Sequence, residues 1–243
     1  MTVQTDPKDL AVHETPPGEA HARTSVYVYE APVRLWHWIN ALAIVVLSVT
    51  GYLIGSPLHS TGGSGTDNFL MGGIRFVHFT AAYVFAIGFL ARLYWAFVGN
   101  HHARQLFTLP FWNGAWWREL FGELKWYLFL EKEPKKYVGH NPLAHAVMFF
   151  VITLGSIFMI LTGFALYAEG TGHDSWQWAA FGWMTAIFPN TQGLHTWHHL
   201  GMWVIILFVM VHVYAAVRED IMSRQSIIST MISGERMFKD NRP

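Results

Sequence analysis

The sequence predicts an all-α integral membrane protein, a four-helix bundle with a cytoplasmic interfacial amphipathic helix. Three observations carry this. The 243 residues are 52% hydrophobic and only 13% charged, too apolar a balance for an ordinary soluble domain. Four apolar runs reach the ~20 residues that a helix needs to cross a hydrocarbon core of about 30 Å. Aromatic residues make up 16%, with twelve tryptophans, as in the belts that amphipathic rings form at membrane interfaces. A net charge of zero gives no reason to invoke nucleic acid. The absence of cysteine excludes disulfides, thiolate iron–sulfur ligation, thioether-attached haem and thiol catalysis within this chain. Fourteen histidines are then its main metal-binding resource.

Residues 1–25 are polar, contain Pro16-Pro17 and lack the apolar region of a secretory signal, so they read as a disordered tail and insertion falls to the internal segments. The four-span domain covers residues 26–220. Its first span runs from about Leu35 to Ile54 and stops at Gly55-Ser56-Pro57. A Gly/Ser-rich connection, Gly62 to Asp67, leads to the second, about Phe76 to Val98. Between Gly99 and Asn141, Phe111, Trp112, Trp116, Trp117, Leu120, Phe121, Leu124 and Leu128 are interleaved with Arg118, Glu119, Glu123 and Lys125. Apolar residues at helical spacing opposite charges predict a helix lying in the interface and not a fifth crossing. The third span is about Leu143 to Tyr167, with Gly155 and Gly163 allowing close approach of a helix or a flat cofactor. The loop Ala168 to Leu194 carries Trp176, Trp178 and Trp183 and no lysine or arginine. The fourth span, His195 to Val217, gives way at Arg218-Glu219-Asp220 to a mixed polar tail, residues 221–243. No internal repeat stands out.

Basic residues set the orientation. The N-terminal tail has Lys8, Arg23 and Arg34, the middle loop has Arg104, Arg118, Lys125, Lys132, Lys135 and Lys136, and the C-terminal tail adds more, whereas the two opposite connections have only Arg75. The positive-inside bias makes both termini and the middle loop cytoplasmic.

That orientation assigns a depth to each histidine within a span. His198 and His212 are fourteen residues apart on one helix, about 21 Å along its axis and within about 40° of one face. His37 opens a span entered from inside and His78 one entered from outside. The four sort into two pairs at matching depth, His37 with His212 on the inner side and His78 with His198 on the outer. Ionisable residues inside a span face a bundle interior or a cofactor, and two histidines from different helices at one depth are the pattern of bis-imidazole haem ligation. Two such levels mean two stacked b haems and an electron path across the membrane. A lone histidine in a span is as readily a helix–helix hydrogen-bonding residue, but four at two matched depths favour ligation. His195 and His199 turn away from the His212 face and are assigned to the interface or a partner helix. His145, opening the third span, competes with His37 for the inner iron. His59, His101, His102 and His173 fall in loops.

Arginines add candidates. Arg34 precedes His37 by three residues and Arg75 precedes His78 by three, each one turn nearer water on the ligand's side; both are candidates for haem propionates, with an inner-surface anchor as the alternative for Arg34. Arg92 lies fourteen residues after His78, at the inner depth. It is a candidate for a propionate or quinone contact, with snorkelling to the surface as the alternative.

Several stretches carry a family likeness: Tyr27-Val-Tyr-Glu-Ala-Pro-Val-Arg-Leu-Trp-His37-Trp, Arg75-Phe-Val-His78, Tyr137-Val-Gly-His-Asn-Pro-Leu-Ala144, His195-Thr-Trp-His-His-Leu-Gly-Met-Trp203 and Val211-His-Val-Tyr-Ala-Ala-Val-Arg-Glu-Asp220. In these the chain resembles the b-type cytochrome subunit of membrane-bound NiFe hydrogenases and, more distantly, the cytochrome b subunit of respiratory formate dehydrogenases. The resemblance implies two non-covalent haems b, with ligands at the positions of His37, His78, His198 and His212. It implies a multi-pass protein of the bacterial inner membrane that anchors a periplasmic hydrogenase. Electrons would pass from iron–sulfur clusters of the hydrogenase small subunit, whose C-terminal membrane helix lies nearby, to quinone at the inner end; hydrogen is split in the large subunit's heterodimer, not here. By likeness to the formate dehydrogenase subunit, Asn141 is a quinone candidate, with a helix N-cap as its alternative, and His140 and His145 are candidates for relaying protons. Two rivals stay open: a diheme cytochrome b serving another quinone-linked oxidoreductase and, more remotely, a histidine-based metal transporter, for which the run Trp203 to Val211 offers no polar route.

Overall fold

The computed structural model describes residues 25–57, 69–132, 135–188 and 190–238. The polar stretch 1–24, the connection Gly62 to Asp67 together with His59, and residues 239–243 lie outside the described residues. In chain order the elements are β1 (Ser25–Tyr27), α1 (Ala31–Gly55), α2 (Leu70–Val98), the single turn α3 (His101–Arg104), α4 (Gly114–Tyr127), α5 (Pro142–Val147), a π-helical stretch Met148–Leu154, α6 (Gly155–Thr171), α7 (Trp176–Phe181) with a 3-10 turn Gly182–Ala186, α8 (Thr191–Met222), α9 (Ile227–Ser233) and β2 (Glu235–Met237).

Among the described residues four helices are long and apolar enough to cross a membrane: Ala31–Gly55, Leu70–Val98, Pro142–Thr171 and Thr191–Met222. They are the four expected spans, each a few residues longer than its apolar core. In their most apolar windows only 11–22% of residues are buried within the chain. Side chains such as Leu42 and Phe97, 66% and 73% exposed, would form untenable patches in water and are at home in lipid. Helix starts follow local chemistry. Pro32 and Pro142 stand in first turns, where a missing N–H costs nothing. Asn100, Asn113 and Asn141 cap α3, α4 and α5 through side-chain oxygens that accept from backbone N–H groups. The third span departs from the expected continuous α-helix: the π stretch widens it midway, a feature that re-phases the side chains after it.

The chain divides into two compact units, one comprising Met1–His37, Arg92–Phe150 and Val209–Pro243, the other Trp38–Ala91 and Val151–Phe208. In the first, β1 and β2 pair antiparallel in the register Ser25↔Met237, Val26↔Arg236 and Tyr27↔Glu235. Val26, Val28, Tyr29, Val33 and Ala103 form its core, covered by Trp95, Val138, Met231 and Phe238. The C-terminal stretch expected to be a polar tail is therefore folded through residue 238, and Ser25 belongs to a strand. Hydropathy conceals this because Arg236 is buried by hydrogen bonds, donating to the carbonyls of Tyr137 at 3.0 Å and Gly139 at 2.9 Å. The interfacial helix α4 buries Trp116, Glu123 and Trp126 and leaves Trp117, Phe121 and Leu124 exposed.

In the second unit α7 and the turn after it pack on α6, with Ala165, Met184 and Leu194 at the centre, surrounded by Leu161, Leu166, Phe181 and Phe188. Phe164 and Phe181 stack with centroids 5.0 Å apart.

Candidate functional site

The second unit holds a cavity of about 790 Å3 whose walls include His78 from α2 and His198 from α8. Its size lies in the range of small-molecule and cofactor sites. Phe79, Tyr83, Phe164 and Tyr167 form an aromatic side to it; Phe79 and Tyr167 lie 4.6 Å apart, and Tyr83 meets Phe164 edge-on at 5.0 Å. Gly51 and Gly163 contribute backbone without side chains, and a Cβ at Gly163 would come within 3.1 Å of the His198 ring. His78 Nδ1 bonds Thr50 Oγ1 and His198 Nδ1 bonds Thr162 Oγ1, each at 2.8 Å. Exposed Arg75 also lines this cavity, as do His195 and His199. His199 meets a neighbouring helix, at Gly55, as its position on α8 suggests, and it also lines the cavity.

In the first unit His37 of α1 and His212 of α8 face each other with ring centroids 6.3 Å apart and planes inclined by 53°. Two imidazoles binding one metal ion from opposite sides through bonds of about 2 Å place their centroids ~6 Å apart. The centroid separation of His37 and His212 is in that range. His145 stands apart from it: its Nε2 bonds the Thr108 carbonyl at 2.5 Å, and its ring packs edge-on against Trp116. A carbonyl only accepts, so His145 holds its Nε2 proton there, and the geometry favours His37 of the two rivals for the inner iron.

The proposed anion contacts differ in placement. Arg92 is 4% exposed, donates to the Ala103 carbonyl at 2.7 Å and is sandwiched by Trp36 and Phe107 at 5.5 and 5.4 Å. It does not snorkel; its Nε and one terminal nitrogen have no hydrogen-bond partner among the described residues. Arg34 donates to the Ile232 carbonyl, holding α9 to the start of α1, a contact that neither reading of this residue anticipated.

Near these residues of the first unit is a polar network. Tyr29 Oη bonds His140 Nε2 at 3.1 Å, and His140 Nδ1 bonds Gln105 Oε1 at 3.2 Å. Burial, reinforced by the Arg236 charge, holds His140 well below the usual imidazole range, while burial pushes the Tyr29 hydroxyl up. Asn141 caps α5 by accepting from Ala144 N at 2.7 Å, which is the N-cap alternative. Glu123 is almost wholly buried, and burial together with Glu219 pushes its carboxyl up to about 7. Glu219 accepts from Trp126 Nε1 at 2.8 Å, and Arg218 lies over the Trp126 ring at 4.4 Å.

Comparison with known proteins agrees with this architecture. The family model described as prokaryotic cytochrome b561 matches residues 28–234, everything between the two strands. The chain belongs to the prokaryotic cytochrome b561 family. This cytochrome is 64% identical over 232 residues to the probable Ni/Fe-hydrogenase B-type cytochrome subunit of Azotobacter vinelandii, covering 95% of the chain and 97% of that protein. It is 62% identical over 216 residues to the subunit of the same name from Cupriavidus necator, with 89% and 88% covered. With the probable Ni/Fe-hydrogenase 1 B-type cytochrome subunit of Escherichia coli K12 it shares 50% over 220 residues, with 88% and 92% covered. The resemblance seen in the motifs is borne out. Family membership and the four apolar helices make it a multi-pass membrane cytochrome carrying haem b in electron transport.

Several residues of the two sites were not singled out in the sequence. Thr50 and Thr162 each precede a glycine within a span, a twin dipeptide that was available as a signal. Tyr29 and Glu123 had none: one sits before the first span in a short run of valines and tyrosines, and the other is one acid among several on an amphipathic helix.

Proposed function

We propose that the cytochrome is the diheme subunit of a hydrogen:quinone oxidoreductase, anchoring a periplasmic NiFe hydrogenase to the bacterial inner membrane and passing its electrons across the bilayer to quinone. The observation that carries this is the presence of two histidine pairs, one at iron-bridging separation and the other in the walls of a cofactor-sized cavity, on helices that cross a membrane. The names of relatives at 50–64% identity, which link them to Ni/Fe hydrogenases, support the partner, namely the hydrogenase small subunit with its C-terminal helix and the large subunit.

Haem b held between paired imidazoles supplies one-electron transfer. His78 and His198 would hold the outer group, with Arg75 beside the cavity for a propionate; His37 and His212 would hold the inner, with Arg92 for its propionates and Arg34 bracing the helix. The aromatic wall of Phe79, Tyr83, Phe164 and Tyr167 would give the outer group an apolar contact surface. On the inner side the candidates for handling quinone are His140, Asn141 and His145. Of these, His140 is best disposed: burial and the Arg236 charge favour its neutral imidazole, and its bond to Tyr29 pairs it with a phenol able to hand a proton between Oη and Nε2. With protons taken up on the inner side and both termini cytoplasmic, electron flow from outside to inside is electrogenic.

The test is a reduced-minus-oxidised spectrum of the purified complex with pyridine haemochrome quantification, repeated under hydrogen. Two b haems per chain, both reduced by hydrogen, are expected. Two haems indifferent to hydrogen would point to another redox partner, and a folded complex with none would overturn the ligand assignment.

A further inference from the structure

Two Thr-Gly dipeptides occupy matching positions around the histidines of the second unit. On α1, Thr50 Oγ1 bonds the Val46 carbonyl at 2.6 Å and His78 Nδ1 at 2.8 Å. On α6, Thr162 Oγ1 bonds the Phe158 carbonyl at 2.7 Å and His198 Nδ1 at 2.8 Å. In each case the following glycine faces the same imidazole. A Cβ on Gly51 would stand 3.3 Å from His78 Cε1, and one on Gly163 would stand 3.1 Å from His198 Cε1. One helix therefore offers the ring a hydroxyl at Nδ1 and clears a methyl from beside Cε1, and the arrangement occurs twice.

Counting protons gives the direction of these bonds. A threonine hydroxyl has one proton, and the carbonyl one turn back can only accept it. With that proton given to the carbonyl, Oγ1 presents a lone pair to the histidine, so Nδ1 must carry the hydrogen. The neutral ring then keeps its free lone pair at Nε2, the nitrogen left for a metal, and both rings line the cavity.

We infer that Thr50 and Thr162 are paired positioning residues that fix His78 and His198 in the Nδ1–H tautomer, hold Nε2 for the iron and strengthen both rings as donors. The inference rests on these histidines being the ligands of one haem. Accepting a hydrogen bond from Nδ1–H raises the basicity of the ligating nitrogen and favours ferric iron. Outer partners of this kind are typically worth about 10–100-fold in metal affinity.

The experiment is a spectroelectrochemical titration of the complex carrying Thr50→Val, Thr162→Val, both together, or the serine replacements, with the rate of haem transfer to apomyoglobin measured in parallel. Each valine variant should raise the midpoint potential of one haem and not the other, and speed its transfer by roughly tenfold; serine should restore both. Valine variants that titrate and transfer as wild type overturn the inference, as does serine moving the potential as far as valine. If a valine variant carries no second-unit haem, serine decides: haem at the wild-type potential supports the inference, and its loss overturns it. His78→Ala and His198→Ala separate this from the ligand assignment. If they retain two haems, the assignment fails and takes the inference with it; if each loses one while the valine variants are unchanged, the threonine inference alone falls.

Discussion

His78 and His198 sit among aromatic rings and glycines, each with a threonine hydroxyl at its Nδ1, whereas His37 and His212 belong to a unit whose buried polar residues include Arg92, Arg236, Glu123 and Glu219. In the first setting an aromatic wall offers a cofactor contact area, with Arg75, His195 and His199 also lining the cavity. The second has cations, a phenol–imidazole pair and carboxyls that can take up or release a proton. The difference teaches that matched pairs of histidines do not bring matched surroundings.

The largest effects should come from the ligands. Alanine at His37 and alanine at His198 are each expected to halve haem content and to lower hydrogen-dependent quinone reduction at least ~100-fold, as loss of a required group does. The comparison breaks if either variant loses both haems, because the two sites would then depend on each other. Next comes Gly163→Leu, which adds a branched side chain where a Cβ already meets the His198 ring at 3.1 Å. It should cut second-unit haem occupancy more than about tenfold, while Gly155→Leu, whose Cβ meets nothing within 4 Å, leaves it intact; haemochrome assays of both variants give the answer.

Arg92→Met probes the polar unit. It removes a charged hydrogen bond to Ala103 worth about 1.5–3 kcal/mol, so melting should fall by roughly 3–10 °C. Removing a buried cation should also lower the potential of the first-unit haem and leave the other unmoved; a shift confined to the second-unit haem would contradict the assignment. The smallest effect expected is that of Glu123→Gln. The Glu123 carboxyl is raised from 4.5 to about 7 by burial and by Glu219, with Glu119 adding to this and Tyr137 and Lys135 opposing it. Since the folded state prefers the protonated acid, the stability it contributes is complete below about 4.5 and is lost as pH rises through about 7. Melting curves of the wild type should thus decline across that window, and those of the glutamine variant should be flatter.

Much of this was legible in the residues. Span number followed from apolar length, and the pairing of His37 with His212 followed from helical arithmetic and charge bias, because an apolar helix in a bilayer has few options. His145 was a real ambiguity: position along a span fixes depth, but only the neighbouring Thr108 carbonyl and Trp116 ring reveal where the imidazole turns. Short strands and buried charges were illegible for a related reason. Arg236 and Glu123 look like surface residues by hydropathy, and only carbonyls and side chains distant in sequence make their burial tolerable.

The small β1–β2 ribbon has a consequence for topogenesis. Its strands come from before the first crossing and after the last, and segments joined by backbone hydrogen bonds must occupy one aqueous compartment. The number of crossings must therefore be even, a parity rule independent of hydropathy and of lysine counts. The ribbon also works as a clasp that cannot fasten until the final helix has been threaded, so a chain stalled after three passes has its N-terminal strand without a mate. That unmated edge would mark the unfinished molecule as unfinished.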